Sequence, residues 1–215
     1  MKTVEENEKI FSIFKKINKN PKTALFYKTE FELLICVILS AKSKDVMVNQ
    51  ITKNLFDKAD TPEKMIKLGN KKLRNIIKKI GLFKNKSKNI IATCEILVEK
   101  YNGKIPNTRR QLESLPGVGK KTASMILNVV FGKDTIPVDT HVFRLVNRIG
   151  IYEEKNRNKI NKVEEKLINL IPKKYIKDSH FWLVDHGKTI CKAINPLCLS
   201  CNISHYCEYF QKSKL

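Results

Sequence analysis

Leu115-Pro116-Gly117-Val118-Gly119-Lys120-Lys121-Thr122-Ala123 is the stretch on which the fold turns. It lies between two segments with apolar residues at helical spacing, Arg109–Leu115 and Lys120–Phe131. Glycines two apart permit a tight turn, and their backbone can approach another backbone closely. The amides after Gly119 open a helix and point at whatever sits beyond it, for which a phosphate is the natural guest. The segment therefore reads as a helix-hairpin-helix. An ordinary connector between antiparallel helices also uses glycine, but cationic residues follow here directly, which favours phosphate contacts from Pro116, Gly117, Val118, Gly119 and Lys120. Such contacts hold DNA in register without reading sequence.

The hydrophobic rhythm stays helical on both sides of the hairpin. Ile10, Phe11, Phe14 and Ile17 share one face before Pro21, and Phe31–Ala41 reads as a buried helix. Asp45 is expected to cap the next helix, whose stripe is Val48, Ile51 and Leu55. Thr61-Pro62-Glu63 is a start signal and Gly69 a stop. Further helices are predicted over Lys71–Ile80 with Gly81 after it, and over Asn85–Tyr101 with Gly103 after it. Others are expected over His141–Ile149, Asn158–Leu170 and Lys177–Lys188, with Gly132 and Gly150 closing the helices before them. No stretch alternates with a period of two, so the fold class is all-α.

Lysine and arginine total 42 against 21 acidic residues, a net charge of +21. That balance points to an anionic partner, nucleic acid or an anionic membrane face. A genome rich in A/T codons, which favours Lys, Ile and Asn, is the competing source of the excess. With 42% apolar residues, eight glycines and seven prolines, the chain is neither disordered nor collagen-like. The longest apolar run, Leu33–Leu39, is far below the roughly 20 residues of a membrane span. The acidic start has no signal core behind it, so the expected compartment is the reducing cytoplasm, with no membrane association and a monomeric chain. Cysteines there should not be read as disulfides.

Four of the six cysteines fall in Cys191-x6-Cys198-x2-Cys201-x5-Cys207. Zinc modules bring together two close cysteine pairs, and only Cys198 and Cys201 form one here. The wider, unequal loops suit a four-iron cubane better, although spacing alone leaves zinc open. Cys36 and Cys94 lie in helical apolar patterns and read as packed thiols. Lys121 is the candidate nucleophile: the positive end of a helix dipole, the neighbouring Lys120 and an expected partial burial suit that role. A plain phosphate contact accounts for it equally well. In Val138-Asp139-Thr140-His141, Asp139 or Thr140 suits an N-cap, and Asp139 could also accept a proton if it faces the lysine. His141, His180 and His186 read as packing or surface residues and Trp182 as core.

Taken together, Phe31-Glu32-Leu33-Leu34, the hairpin, Val138-Asp139-Thr140-His141 and the four C-terminal cysteines make the chain resemble the endonuclease III family, almost end to end. These are bifunctional DNA glycosylases and lyases of the helix-hairpin-helix superfamily. The resemblance implies a six-helix barrel over 23–134 and an iron–sulfur domain formed by 1–22 with 135–215, the DNA cleft lying between. It implies that Lys121 is the Schiff-base lysine, Asp139 the catalytic aspartate, and Cys191, Cys198, Cys201 and Cys207 the ligands of a [4Fe–4S] cluster. Double-stranded DNA carrying oxidised pyrimidines or abasic sites is the implied partner, nucleoid association the implied location, and strand cleavage 3′ to the lesion by β-elimination the implied reaction. Leu82 matches a wedge residue that enters the base stack, though a buried leucine would give the same letter.

One position departs from the family pattern. Ser-Ala-Gln-x-Thr-Asp becomes Ser40-Ala41-Lys42-Ser43-Lys44-Asp45, so a lysine stands where a glutamine fills the gap left by the flipped nucleotide. Lysine donates hydrogen bonds but accepts none. An adenine glycosylase of the same superfamily would lack a lysine at position 121, and a non-catalytic DNA-binding protein would need neither Lys121 nor Asp139.

Overall fold

The computed structural model describes residues 1–154 and 160–213, and among them every regular element is helical, with no strand. In chain order the α-helices are α1 (Val4–Ile17), α2 (Glu30–Ser40), α3 (Asp45–Phe56), α4 (Pro62–Ile76), α5 (Phe83–Tyr101) and α6 (Arg109–Glu113). They continue with α7 (Lys120–Val129), α8 (Thr140–Ile149), α9 (Ile160–Leu170), α10 (Lys173–Thr189) and α11 (Glu208–Lys212). No helix among the described residues is long and apolar enough to cross a membrane. The chain divides into two compact units, one of Ala24–Phe131 and one of Met1–Thr23 with Gly132–Leu215.

In the unit of residues 24–131, α2 is apolar all round and buried at every position from Phe31 to Leu39, the pattern of a helix surrounded by others. Each of its fully buried leucines contributes roughly 1.5–3 kcal/mol relative to exposure. Its start is capped by Thr29 Oγ1, which accepts from Glu32 N, and the buried Glu32 side chain accepts from Lys28 N just before the cap at 2.5 Å. Against α2 packs α7, whose residues Ala123–Asn128 are all buried. Cys36 and Cys94 are fully buried, and burial pushes both thiols up to about 12, so they are packing groups.

In the other unit, Ile10, Phe11 and Phe14 of α1 join Val142, Leu145 and Val146 of α8 and Tyr175, Trp182 and Leu183 of α10 in one core. Phe11 stacks on Tyr175 at 6.1 Å, and Trp182 Nε1 donates to Asn18 O at 2.8 Å. That bond satisfies the indole's polar end, so α1 is fastened to residues more than 150 positions away.

Several expected boundaries shift. Lys44, not Asp45, is the N-cap of α3, and no side chain caps that helix. Gly69 does break the helical path, at φ 78°, ψ 157°, but the chain resumes immediately, giving a kink within α4. The helix expected to reach Ile80 ends at Ile76, about a turn early, while α5 starts at Phe83 with Leu82 in left-handed conformation as its N-cap. α10 begins at Lys173, a turn before Lys177. The predicted start at Asn158 lies outside the described residues.

Candidate functional site

The hairpin is built as its sequence demands. Val118 N donates to Leu115 O at 3.0 Å, closing a turn with Pro116 second and Gly117, at φ +81°, third. Only glycine and a few polar residues accept that conformation cheaply. A Cβ on Gly117 would also stand 3.1 Å from Asn89 Cβ. Thr93 Oγ1 donates to Pro116 O at 2.8 Å, and buried Leu115 and Val118 anchor the turn from below. Arg109 Nη1 donates to Ser124 Oγ at 3.0 Å, tying α6 to α7.

Gly119 is different. Its φ of −92° suits any residue, and nothing lies within 4 Å of where its Cβ would be. Neither backbone conformation nor packing requires a glycine there; what it provides is open backbone. It is the N-cap of α7, and no side chain caps that helix. The first amides of α7 thus face outward at the positive end of the helix dipole. Lys120 and Lys121 are both exposed. The partial burial expected for Lys121 is not found, because α7 turns its apolar face, not its first turn, onto α2.

Two further turns stand out by strain. Four non-glycine residues among those described have positive φ: Lys42 (55°), Leu82 (59°), Asn102 and Asn195. Asparagine visits this region readily, but for lysine or leucine it costs roughly 1–2 kcal/mol. Both side chains are exposed, Leu82 at 56%, so Leu82 is not a core residue. The Lys42 turn is closed by Ser43 N donating to Ser40 O at 3.0 Å. It touches the Leu82 turn, where Gly81 N donates to Ser43 Oγ at 3.3 Å. Beneath them the buried Lys86 ammonium donates to the carbonyls of Leu39 and Ala41, and burial pushes its pKa down to about 8.

In the second unit Asp139 is the N-cap of α8, and Oδ1 accepts from both His141 N (2.8 Å) and Val142 N (2.9 Å). Asp139 therefore caps, as one reading of its sequence context had it, and Thr140 is the first helical residue. Further along α8, Arg144 donates to the carbonyls of Gly187 (2.8 Å) and Cys191 (3.0 Å). Arg148 donates to the carbonyls of Lys192 (2.7 Å) and Ala193 (3.0 Å) and stacks over Tyr209 at 4.6 Å.

Those two arginines grip a loop on which Cys191, Cys198, Cys201 and Cys207 line one pocket. Its other walls include Ile149, Ile190, Leu197, Ile203 and Phe210, and it encloses about 350 Å³ free of protein atoms, mouth included. Burial, and after it the neighbouring cysteines, raise the thiols of Cys201 and Cys207. His186, read from sequence as a packing or surface residue, is buried there with Nε2 3.4 Å from Cys201 Sγ. Among the described residues no three Cys, His, Asp or Glu side chains gather at single-ion distance.

Residues 35–173 match the HhH-GPD superfamily of base excision DNA repair proteins. The endonuclease III of Buchnera aphidicola subsp. Schizaphis graminum is 52% identical over 203 residues, 94% of this chain and 96% of that one. The Escherichia coli K12 endonuclease III is 47% identical over 195 residues, 91% of each. A trapped endonuclease III–DNA covalent intermediate superposes with a TM-score of 0.92 at 37% identity, covering 100% of both chains. The chain belongs to the endonuclease III family. It is accordingly a DNA glycosylase and AP lyase of base excision repair, and damaged DNA is its partner.

The candidate residues of this endonuclease III family member fall into local groups and one pair divided between the units. The hairpin residues are contiguous, the four cysteines share one pocket, and the Lys42 and Leu82 turns touch. Lys121 belongs to one compact unit and Asp139 to the other. Lys86, Arg144 and Arg148 went unnoticed in the sequence, where the i,i+4 spacing of the two arginines on α8 was the one signal, and His186 was noticed but not placed beside a cysteine.

Proposed function

We propose that the chain removes oxidised pyrimidines from duplex DNA and then cleaves the strand, with Lys121 as nucleophile and Asp139 as its charged assistant. The observation that carries this reading is the uncapped start of α7, where open backbone at Gly119, outward amides and the exposed amine of Lys121 follow one another. The amides of that turn, with Lys120, take a backbone phosphate; Pro116, Gly117 and Val118 shape the turn, and buried Val118 offers backbone only. Lys42 and Leu82 enter the duplex as the damaged nucleotide is extruded, a step costing a few kcal/mol and least for a damaged base.

The chemistry follows from the residue types. The Lys121 amine, once deprotonated, forms a bond to the sugar C1′ as the bond from C1′ to the base breaks, and the electron pair leaves with the base, which takes a proton. The sugar ring opens to an imine. Loss of a C2′ proton then breaks the C3′–O bond, expelling the 3′ phosphate, and water releases the lysine. Asp139 keeps Oδ1 on the helix amides, and its charge stabilises the positive charge that develops at the sugar.

Cys191, Cys198, Cys201 and Cys207 suit a [4Fe–4S] cluster. Four thiols around one apolar pocket, spaced x6, x2 and x5 along the chain, match a polynuclear guest better than one zinc ion. When bound, the cluster cross-links the loop; no bond to the substrate changes through it. We assign the barrel with its hairpin to residues 23–134 and the cluster domain to 1–22 with 135–215. The test is incision of duplexes carrying thymine glycol, an abasic site or no lesion. Cleavage of the first two alone supports the reading, and indifference to the lesion contradicts it.

A further inference from the structure

One buried cation joins the turns of Lys42 and Leu82, and the chemistry above makes no use of it. Lys86 lies one turn into α5 and is 5% exposed. Its Nζ donates to Leu39 O (2.8 Å), Ala41 O and Ser43 Oγ (3.4 Å). An ammonium has three protons and no acceptor capacity, so three oxygens account for it in full. Two of those are orphan carbonyls at the C-terminal end of α2, where the helix dipole favours a cation. Burial pushes its pKa down to about 8. From its own backbone, Lys86 N donates to Leu82 O at 3.0 Å.

The same few residues close the arrangement from the other side. Ser43 Oγ accepts from Gly81 N as well as from Lys86, and Lys42 O lies 3.1 Å from where a Cβ on Gly81 would stand. Two strained, exposed tips are thus fixed to each other through a shared base. Strain of this kind persists only when the surroundings over-determine the backbone.

We propose that Lys86 is a positioning residue: by pinning residues 39–43 to the start of α5, it presents Lys42 and Leu82 to the duplex as one two-pronged element. The inference rests on the duplex-entering roles proposed for those two residues and adds a residue that acts through them while touching no DNA itself.

The test uses the full-length protein and Lys86→Met, which keeps the length and removes all three donors. Single-turnover excision of thymine glycol is measured in a fully paired duplex and in a duplex whose lesion is already unpaired in a bulge, with 2-aminopurine beside it to report unstacking. Because extrusion is the step affected, the paired lesion should lose about 10- to 100-fold and the fluorescence rise should vanish. The bulged lesion should be excised near the wild-type rate. In a Leu82→Ala background, Lys86→Met should cost little more on the paired lesion, since the two act as a unit. Equal losses on paired and bulged lesions, or additive losses with Leu82→Ala, would overturn the proposal. If Lys86→Met does not fold, Ser43→Ala removes the acceptor shared by Lys86 and Gly81. It must show the same asymmetry in milder form, and its absence overturns the proposal as well. Borohydride trapping of the wild type on a single-stranded abasic oligonucleotide reads Lys121 alone, so failure there would strike the catalytic assignment and not this one.

Discussion

Replacing Asp139 separates two tasks carried by one carboxylate. In Asp139→Asn an amide oxygen can stand where Oδ1 stands, so the bonds from His141 N and Val142 N at 2.8 and 2.9 Å can persist while the negative charge is lost. In Asp139→Ala both go. Losing an N-cap of this kind costs about 0.5–2 kcal/mol, whereas Asn caps as well as Asp. For a protein of this size about 1 kcal/mol lowers Tm by roughly 2–4 °C. The chemical role is larger: a preorganised group aimed at charge developing in the transition state contributes about 10²–10³-fold. We therefore expect Asp139→Asn to melt near wild type and lose at least about 100-fold in single-turnover excision of thymine glycol. Asp139→Ala should lose a similar factor in rate and also melt lower. Thermal melting and quench-flow excision on the same preparations give both numbers. An Asn variant that excises near the wild-type rate would refute the catalytic role, and an Ala variant that melts like wild type would refute the cap.

The two hairpin glycines should fail in different ways: Gly117→Ala forces an alanine to φ +81° against Asn89 and should lower Tm, costing about 1–2 kcal/mol. Gly119→Ala, whose added methyl meets nothing within 4 Å, should melt near wild type yet bind duplex DNA more weakly in a titration. Purified protein should be yellow-brown, absorbing near roughly 400 nm with about four irons per chain. Cys198→Ser should lose iron and melt lower, while Lys121 stays trappable in the folded fraction; a colourless protein with stoichiometric zinc would contradict the cluster. For Lys42→Gln, incision opposite adenine and guanine at two salt concentrations should sharpen the preference for one opposite base and lower the salt slope by roughly 0.9.

Helical faces were legible because burial repeats every three to four residues: Ile10, Phe11 and Phe14, or the continuous run Phe31–Leu39, show which side is covered without any knowledge of what covers it. Thr61 announced its helix because a cap and a proline act locally. Asp45 misled because the same local logic marks a start without saying whether the residue stands at the cap or just inside, and the start of α3 is left uncapped. Lys42 and Leu82 carry no letter that signals positive φ; their conformation is imposed by the contacts of Gly81, Ser43 and Lys86. Lys86 itself reads as one more polar residue in a lysine-rich helix, since the carbonyls that bury it lie more than 40 positions away. His186 precedes Cys201 by a spacing no ligand motif uses, and only the packing of α10 brings the two together.

The central claim is that the Lys121 amine becomes covalently joined to the sugar, and borohydride trapping reads that bond directly. The wild-type protein, incubated with a duplex carrying an abasic site or thymine glycol and reduced with borohydride, should yield a protein–DNA adduct that peptide mass spectrometry places on Lys121. Lys121→Gln keeps length and polarity, and in the structure Lys121 is exposed on the first turn of α7, so its replacement should leave folding and duplex binding intact. That variant should give no adduct. A full yield of adduct from Lys121→Gln, or an adduct mapped to another residue in the wild type, would contradict the account.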